Sequence, residues 1–184
     1  MAVANVNTQA LVRNSLLVAG AAALHVLEAA LPNPFTVLLG PGAKLGLANI
    51  VTLAAVLAYG AKSATLIAAL RAIIGGLLGG TFLTFGFFLS FAGAVTSALV
   101  MGYVGKLGGA RVSAIGLSML GAVTHNVTQL FVAALLVNHF GLMVHLPYLL
   151  FFAVPTGYFV GLVGKMLYRY LPKEVLRNGA IRKI

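Results

Sequence analysis

Six times along the chain an apolar run reaches about the twenty residues a helix needs to cross the hydrocarbon core of a bilayer. Nothing else in the sequence restricts the fold so strongly. In lipid each backbone N–H and C=O must find its partner within the protein, and a continuous helix does this inside one segment. The composition agrees. Of 184 residues, 61% are hydrophobic and 8% charged, against roughly 25% charged in an ordinary soluble domain. Six spans occupy about 120 positions; seven would leave too little connecting chain, and four would strand apolar sequence in water. The predicted class is an all-α integral membrane protein, a single domain over residues 1–184 with six transmembrane helices.

The helices are expected at about residues 11–31, 44–59, 64–80, 85–104, 112–137 and 148–171. Between them lie the Pro- and Gly-rich loop Pro32–Gly42, the turn Gly60–Ser63, the break Gly79–Phe85, the turn Gly105–Arg111 and the loop Asn138–Pro147. Proline and glycine are poor at continuing a helix, which places the breaks there. The first helix reads as retained, because His25 and Glu28 interrupt its apolar core and a removable leader would need a cleaner one.

Twelve basic residues against two acidic ones leave a net charge of +10. On a soluble chain that balance would point to nucleic acid. Here the bases stand at the edges of apolar runs, where they report topology instead. With the N-terminus inside, one side of the membrane holds Arg13, Lys62, Lys106, Arg111, Lys165, Arg169, Lys173, Arg177, Arg182 and Lys183, leaving Lys44 and Arg71. The expected topology is therefore N-in and C-in, with the first, third and fifth loops outside. The basic tail from Lys173 onward suits anionic headgroups.

Polar groups at bilayer depth are the candidates for function, since a charge there costs roughly 2.5–3.5 kcal/mol on insertion scales. They are His25 and Glu28, three apart and so on one helix face; Lys44 and Asn49; Arg71; Thr81 and Thr84; and His125, Asn126 and Gln129. On the expected topology nearly all fall between mid-membrane and the outer surface, which suggests one polar chamber opening outward. The blander alternatives are interhelical hydrogen bonds from His125 and Asn126, and a structural ion pair of Glu28 with Arg71 or Lys44. One acid cannot neutralise two bases, however, and an unpaired desolvated cation is costly. The surplus charge invites an anionic or carbonyl-rich ligand.

Small residues recur every fourth position at Ala64, Ala68, Ala72, Gly76 and Gly80, and again at Ser15, Ala19 and Ala23. Such stripes let helix backbones approach closely in lipid. The first should pack within the bundle; the second could dock another membrane protein. Enzyme signatures are missing. There is no cysteine and no aspartate, and Glu28 and Glu174 are too few to hold magnesium for diphosphate chemistry. The segment Gly40–Lys44 lacks the ending of a phosphate loop. No catalytic role, cofactor or metal site is expected.

Further residues carry a resemblance. Leu27-Glu28-Ala-Ala-Leu31-Pro32-Asn-Pro34-Phe35 and Pro41-Gly42-Ala-Lys44-Leu-Gly46-Leu-Ala-Asn49-Ile-Val-Thr52-Leu are similar to the Gx transporter family, also labelled heptaprenyl diphosphate synthase component I. Leu70-Arg71 with Gly75–Gly80, Phe88–Gly93 and Gly121–Gln129 extend the match over about residues 16–165. The family resembles the substrate-binding (S) components of energy-coupling factor (ECF) transporters: six-helix proteins of the bacterial cytoplasmic membrane that capture a vitamin-like solute from outside. The resemblance implies a T component and two cytoplasmic ATPases as partners, Ala19 and Ala23 as the docking stripe, and the first and third loops as covers of the ligand. It makes Glu28, Lys44, Asn49, Arg71, His125, Asn126 and Gln129 the substrate-binding candidates. The solute would be amphipathic or anionic, vitamin-like or prenyl-related. The alternative is a non-catalytic accessory subunit of polyprenyl (heptaprenyl) diphosphate synthesis.

Overall fold

The computed structural model describes residues 8–30 and 46–170. These form α1 (Thr8–Ala30), α2 (Leu47–Leu78), α3 (Phe85–Gly108), α4 (Ala114–Leu136) and α5 (Leu146–Arg169), with short 3-10 turns at Gly109–Arg111 and Phe140–His145. Five helical runs are long and apolar enough to cross a membrane, which marks a multi-pass membrane protein.

The second of these runs is two helices. Gly60 has φ 79° and ψ −177°, a conformation essentially restricted to glycine. Eleven residues to either side, Arg71 Nη2 donates to Asn49 Oδ1 at 2.7 Å. Were α2 straight, those residues would stand about 33 Å apart. The chain therefore doubles back at Gly60, and the arms 47–59 and 61–78 lie side by side. The six expected helices are thus present as five runs, one of them folded over. The expected four-residue turn at 60–63 shrinks to one glycine because Ala61–Ser63 are already helical. This tight bend packs under α3, where a side chain at Gly102 would come within 2.4 Å of Ala61 Cβ.

Two other boundaries moved for simple reasons. The fourth expected helix continues to Gly108 instead of stopping near Val104, since a helical glycine costs only about 1 kcal/mol. The last begins at Leu146, with Pro147 in its first turn, where the missing N–H has no partner to lose. Side-chain caps start α3 and α4: Phe87 N donates to Thr84 Oγ1 at 3.3 Å and Gly116 N to Ser113 Oγ at 3.0 Å.

In the bundle α2 packs against α1, α3 and α5, α3 against α4, and α4 against α5. One half is solid. Leu53, Val56, Leu57, Ile67, Met101 and Leu117 fill it, bordered by Tyr59, Val112 and Tyr168. Its end carries the described bases apart from Arg71, with Arg13 stacked 3.8 Å over the Tyr59 ring. The expected small-residue stripe packs inside: Ala64, Ala68, Ala72 and Gly76 are buried, Ala68 against Ala94 and Ala98. Gly80, at its end, lies exposed in the following turn.

The bend is directly testable. Gly60→Ala should lower thermal stability in detergent by about 1–3 kcal/mol, the cost of holding an ordinary residue in that backbone region. Gly20→Ala, with nothing within 4 Å of an added Cβ, should leave the melting midpoint unchanged or raise it.

Candidate functional site

The polar residues gather in the other half of the bundle. Glu28, near the end of α1, is 6% exposed, and its Oε1 accepts from Gly46 N at 2.5 Å. Gly46 caps α2 in a left-handed conformation, φ 82°, a position that favours glycine. Its amide thus points at the carboxylate, which also sits at the positive end of the helix dipole. Of the two partners expected for Glu28, Lys44 lies outside the described residues, and Arg71 stands close enough for the carboxylate to attract its guanidinium while the carboxylate bonds to backbone.

Arg71 is 4% exposed. It does not escape to water, and its guanidinium is met by the Asn49 side chain. Its Nε has no hydrogen-bond partner among the described residues. Lys44, the other expected cation, lies outside the described residues.

Two cavities flank the polar side chains of α4. The deeper, of about 40 Å³, is lined by Asn49, Ser97, Ser118, His125, Asn126 and Thr156 together with three glycines, Ala122, Val160 and, where it borders the solid half, Met101. It has space for about two or three waters. Nearer the far end, a cavity of about 190 Å³ lies between α1, the second arm of α2, the turn before α3, and α4. His25, Phe87, Ser90 and Gln129 form its walls, with Thr81 and Thr84 at an exposed rim. His125 and Gln129, one turn apart on α4, belong to different cavities. Both side chains pass across Gly93 of α3, where an added Cβ would lie 3.0 Å from each.

Of the seven expected site residues, Asn49, His125 and Asn126 line the deeper cavity and Gln129 the larger one. Arg71 acts on the deeper one through Asn49, and Glu28 holds the start of α2 instead of lining a wall. Asn126 also does what the blander reading expected, its Nδ2 donating to Leu149 O at 3.2 Å and tying α4 to α5. Sequence reasoning missed Gly46, Phe87, Ser90, Gly93, Ser97, Ser118 and Thr156 as site-forming positions. Serine, threonine and glycine in an apolar helix carry no chemical signature; only their opposition to large polar side chains reveals them. On helix one, Ser15, Ala19 and Ala23 are exposed on the bundle's outside.

Residues 17–167 match the family model for heptaprenyl diphosphate synthase component I. The chain belongs to that family. No curated protein and no solved structure matches it. Among the described residues of this family member, no group of three or more His, Cys, Asp or Glu could hold a metal ion.

The bond that joins the arms of α2 gives a clear expectation. Asn49→Leu leaves the buried guanidinium without its acceptor and should cost about 1.5–3 kcal/mol, the range for hydrogen bonds to charged groups. Asn49→Leu combined with Arg71→Leu should recover part of that loss, since removing both partners is far milder than orphaning one. A double-mutant cycle by thermal unfolding in detergent reads this directly.

Proposed function

We propose that this member of the heptaprenyl diphosphate synthase component I family is the substrate-binding component of an ECF-type uptake transporter in a bacterial cytoplasmic membrane. It captures a small amphipathic solute from outside and performs no catalysis itself. The observation that carries this reading is the division of the bundle. One half is filled with apolar side chains, and the other holds two cavities walled by His25, Asn49, His125 and Gln129. On the positive-inside orientation the hollow half faces outward, where a captured solute would enter.

The deeper cavity suits the acceptor-rich or anionic end of the solute. Asn49 Oδ1 is engaged by Arg71, so the Asn49 amide nitrogen remains to donate into the cavity that Asn49 lines. The adjacent positive charge strengthens that donation. The exposed stripe of α1 supports docking to a T component, which two cytoplasmic ATPases would drive. Only Glu28 and Glu174 are available as carboxylates, which favours binding over diphosphate chemistry. The family's name favours a second reading, an accessory subunit of heptaprenyl diphosphate synthesis.

Affinity purification from native membranes separates the two. Co-purification of a membrane T component with ATPases, and uptake that stops when the ATPases are inactivated, is the expected result. Recovery of a soluble prenyl synthase whose chain elongation is stimulated would instead establish the second reading. Ala19→Leu with Ala23→Leu should reduce recovery of the partners at least tenfold while the melting midpoint of the isolated protein stays put, because both positions face away from the bundle.

A further inference from the structure

Gln129 stands apart from the other polar side chains. It is 6% exposed as a residue and lines the cavity of about 190 Å³, and its carboxamide, with no hydrogen bond to a described residue, is not sealed off but reaches accessible space. An amide that opens onto an internal space keeps its hydrogen-bonding capacity for whatever occupies that space. A carboxamide offers a donor and an acceptor side by side. Its natural complement is a group with the same pair in reverse order: a primary amide, a lactam or the edge of a pyrimidine.

The rest of the cavity restricts the guest further. No lysine, arginine or glutamate lies on its described walls, and His25 is the one titratable side chain there. Arg71 and Glu28, neighbours in sequence of the wall residues Ala72 and Ala29, are engaged with Asn49 and Gly46. Phe87 forms an apolar side, held by a stacked Phe91 at 5.8 Å and an edge-on Phe82 at 4.9 Å. Its ring lies against Gly76, where an added Cβ would come within 2.9 Å. Ala29, Ala72 and Gly86 keep the remaining walls low. Drug-sized pockets run to roughly 300–1,000 Å³, so this space admits one small ring and no more.

We infer that the cavity between α1, the second arm of α2 and α4 is a subsite for a neutral, ring-bearing amide, read by two hydrogen bonds to Gln129 and packed on Phe87. The inference rests on the reading of the hollow half as a solute site and specifies which part of the solute enters it. The anionic end belongs to the deeper cavity at Asn49; the neutral ring belongs here.

Three probes of one ring size test it on the full-length protein in lipid nanodiscs: benzamide, benzoate and toluene, with binding measured by saturation-transfer NMR titration. Benzamide should bind at least tenfold more tightly than benzoate. The isosteric Gln129→Met should weaken benzamide at least tenfold while leaving toluene within twofold. In the unmutated protein, the side-chain amide resonance of Gln129 should shift on adding benzamide and stay still with toluene, a readout that survives if the variant does not fold. Benzoate binding as well as benzamide, or benzamide binding unaffected by Gln129→Met, overturns the neutral-amide assignment while the solute site stands. Failure of all three probes to bind overturns the subsite itself. Neither result touches partner co-purification, which judges the transport reading separately.

Discussion

A guanidinium carried into the interior of a membrane-spanning bundle must be met chiefly by protein, because its hydration shell is left behind. In this chain no carboxylate is hydrogen-bonded to it among the described residues, although Glu28 stands near enough to attract it. Glu28 is engaged by the amide that opens α2, and the other acid, Glu174, falls beyond the described residues. Arg71 is met by the neutral acceptor Asn49, and that choice organises much around it. The bond spans the open ends of the arms that part at Gly60, so it fixes how closely they lie. It also orients the Asn49 amide toward the deeper cavity. A salt bridge would have closed the charge off; an amide passes its influence on to whatever lies beyond.

The two halves of the bundle obey different packing rules. In the basic half, glycine and alanine let helices approach until large apolar side chains fill the remaining space: Gly102 over Ala61, Gly121 over Met101, Gly164 over Leu53. Interiors at that density leave few voids larger than a water. In the far half the same small residues face polar side chains. Gly75 lies against His25, and Gly93 against both His125 and Gln129. Polar groups cannot fill space as freely as hydrocarbon, because their atoms need directed partners. Cavities are the result.

Much of this was legible from residue order. Run length and the edges marked by Lys and Arg disclosed six helical segments, and the four-residue spacing of Ala64, Ala68, Ala72 and Gly76 disclosed the face turned inward. The convergence of His25, Glu28, Asn49, Arg71, His125 and Gln129 into one half also followed from their depth along their helices. What could not be read was pairing. Depth places Glu28 and Arg71 at similar levels, but only the fold shows that a left-handed Gly46 offers the acid a nearer donor. Sequence likewise gave no reason to separate His125 from Gln129, since residues four apart share a face; Gly93 lies beneath both and the cavities still diverge. The sharpness of the bend at Gly60 was hidden for the opposite reason: the neighbouring Ala61, Lys62 and Ser63 look like loop residues and are helical.

The placement of α1 has a mechanical consequence. It packs chiefly on α2, and its lipid side is smooth at Ser15, Ala19 and Ala23, while its inward side brings His25 to the wall of the larger cavity and Glu28 to the first turn of α2. Because His25 and Ala29 are part of that cavity's wall, any shift of this one helix would change the shape of the recess directly. The bundle has, in effect, a built-in handle whose far side is part of the container.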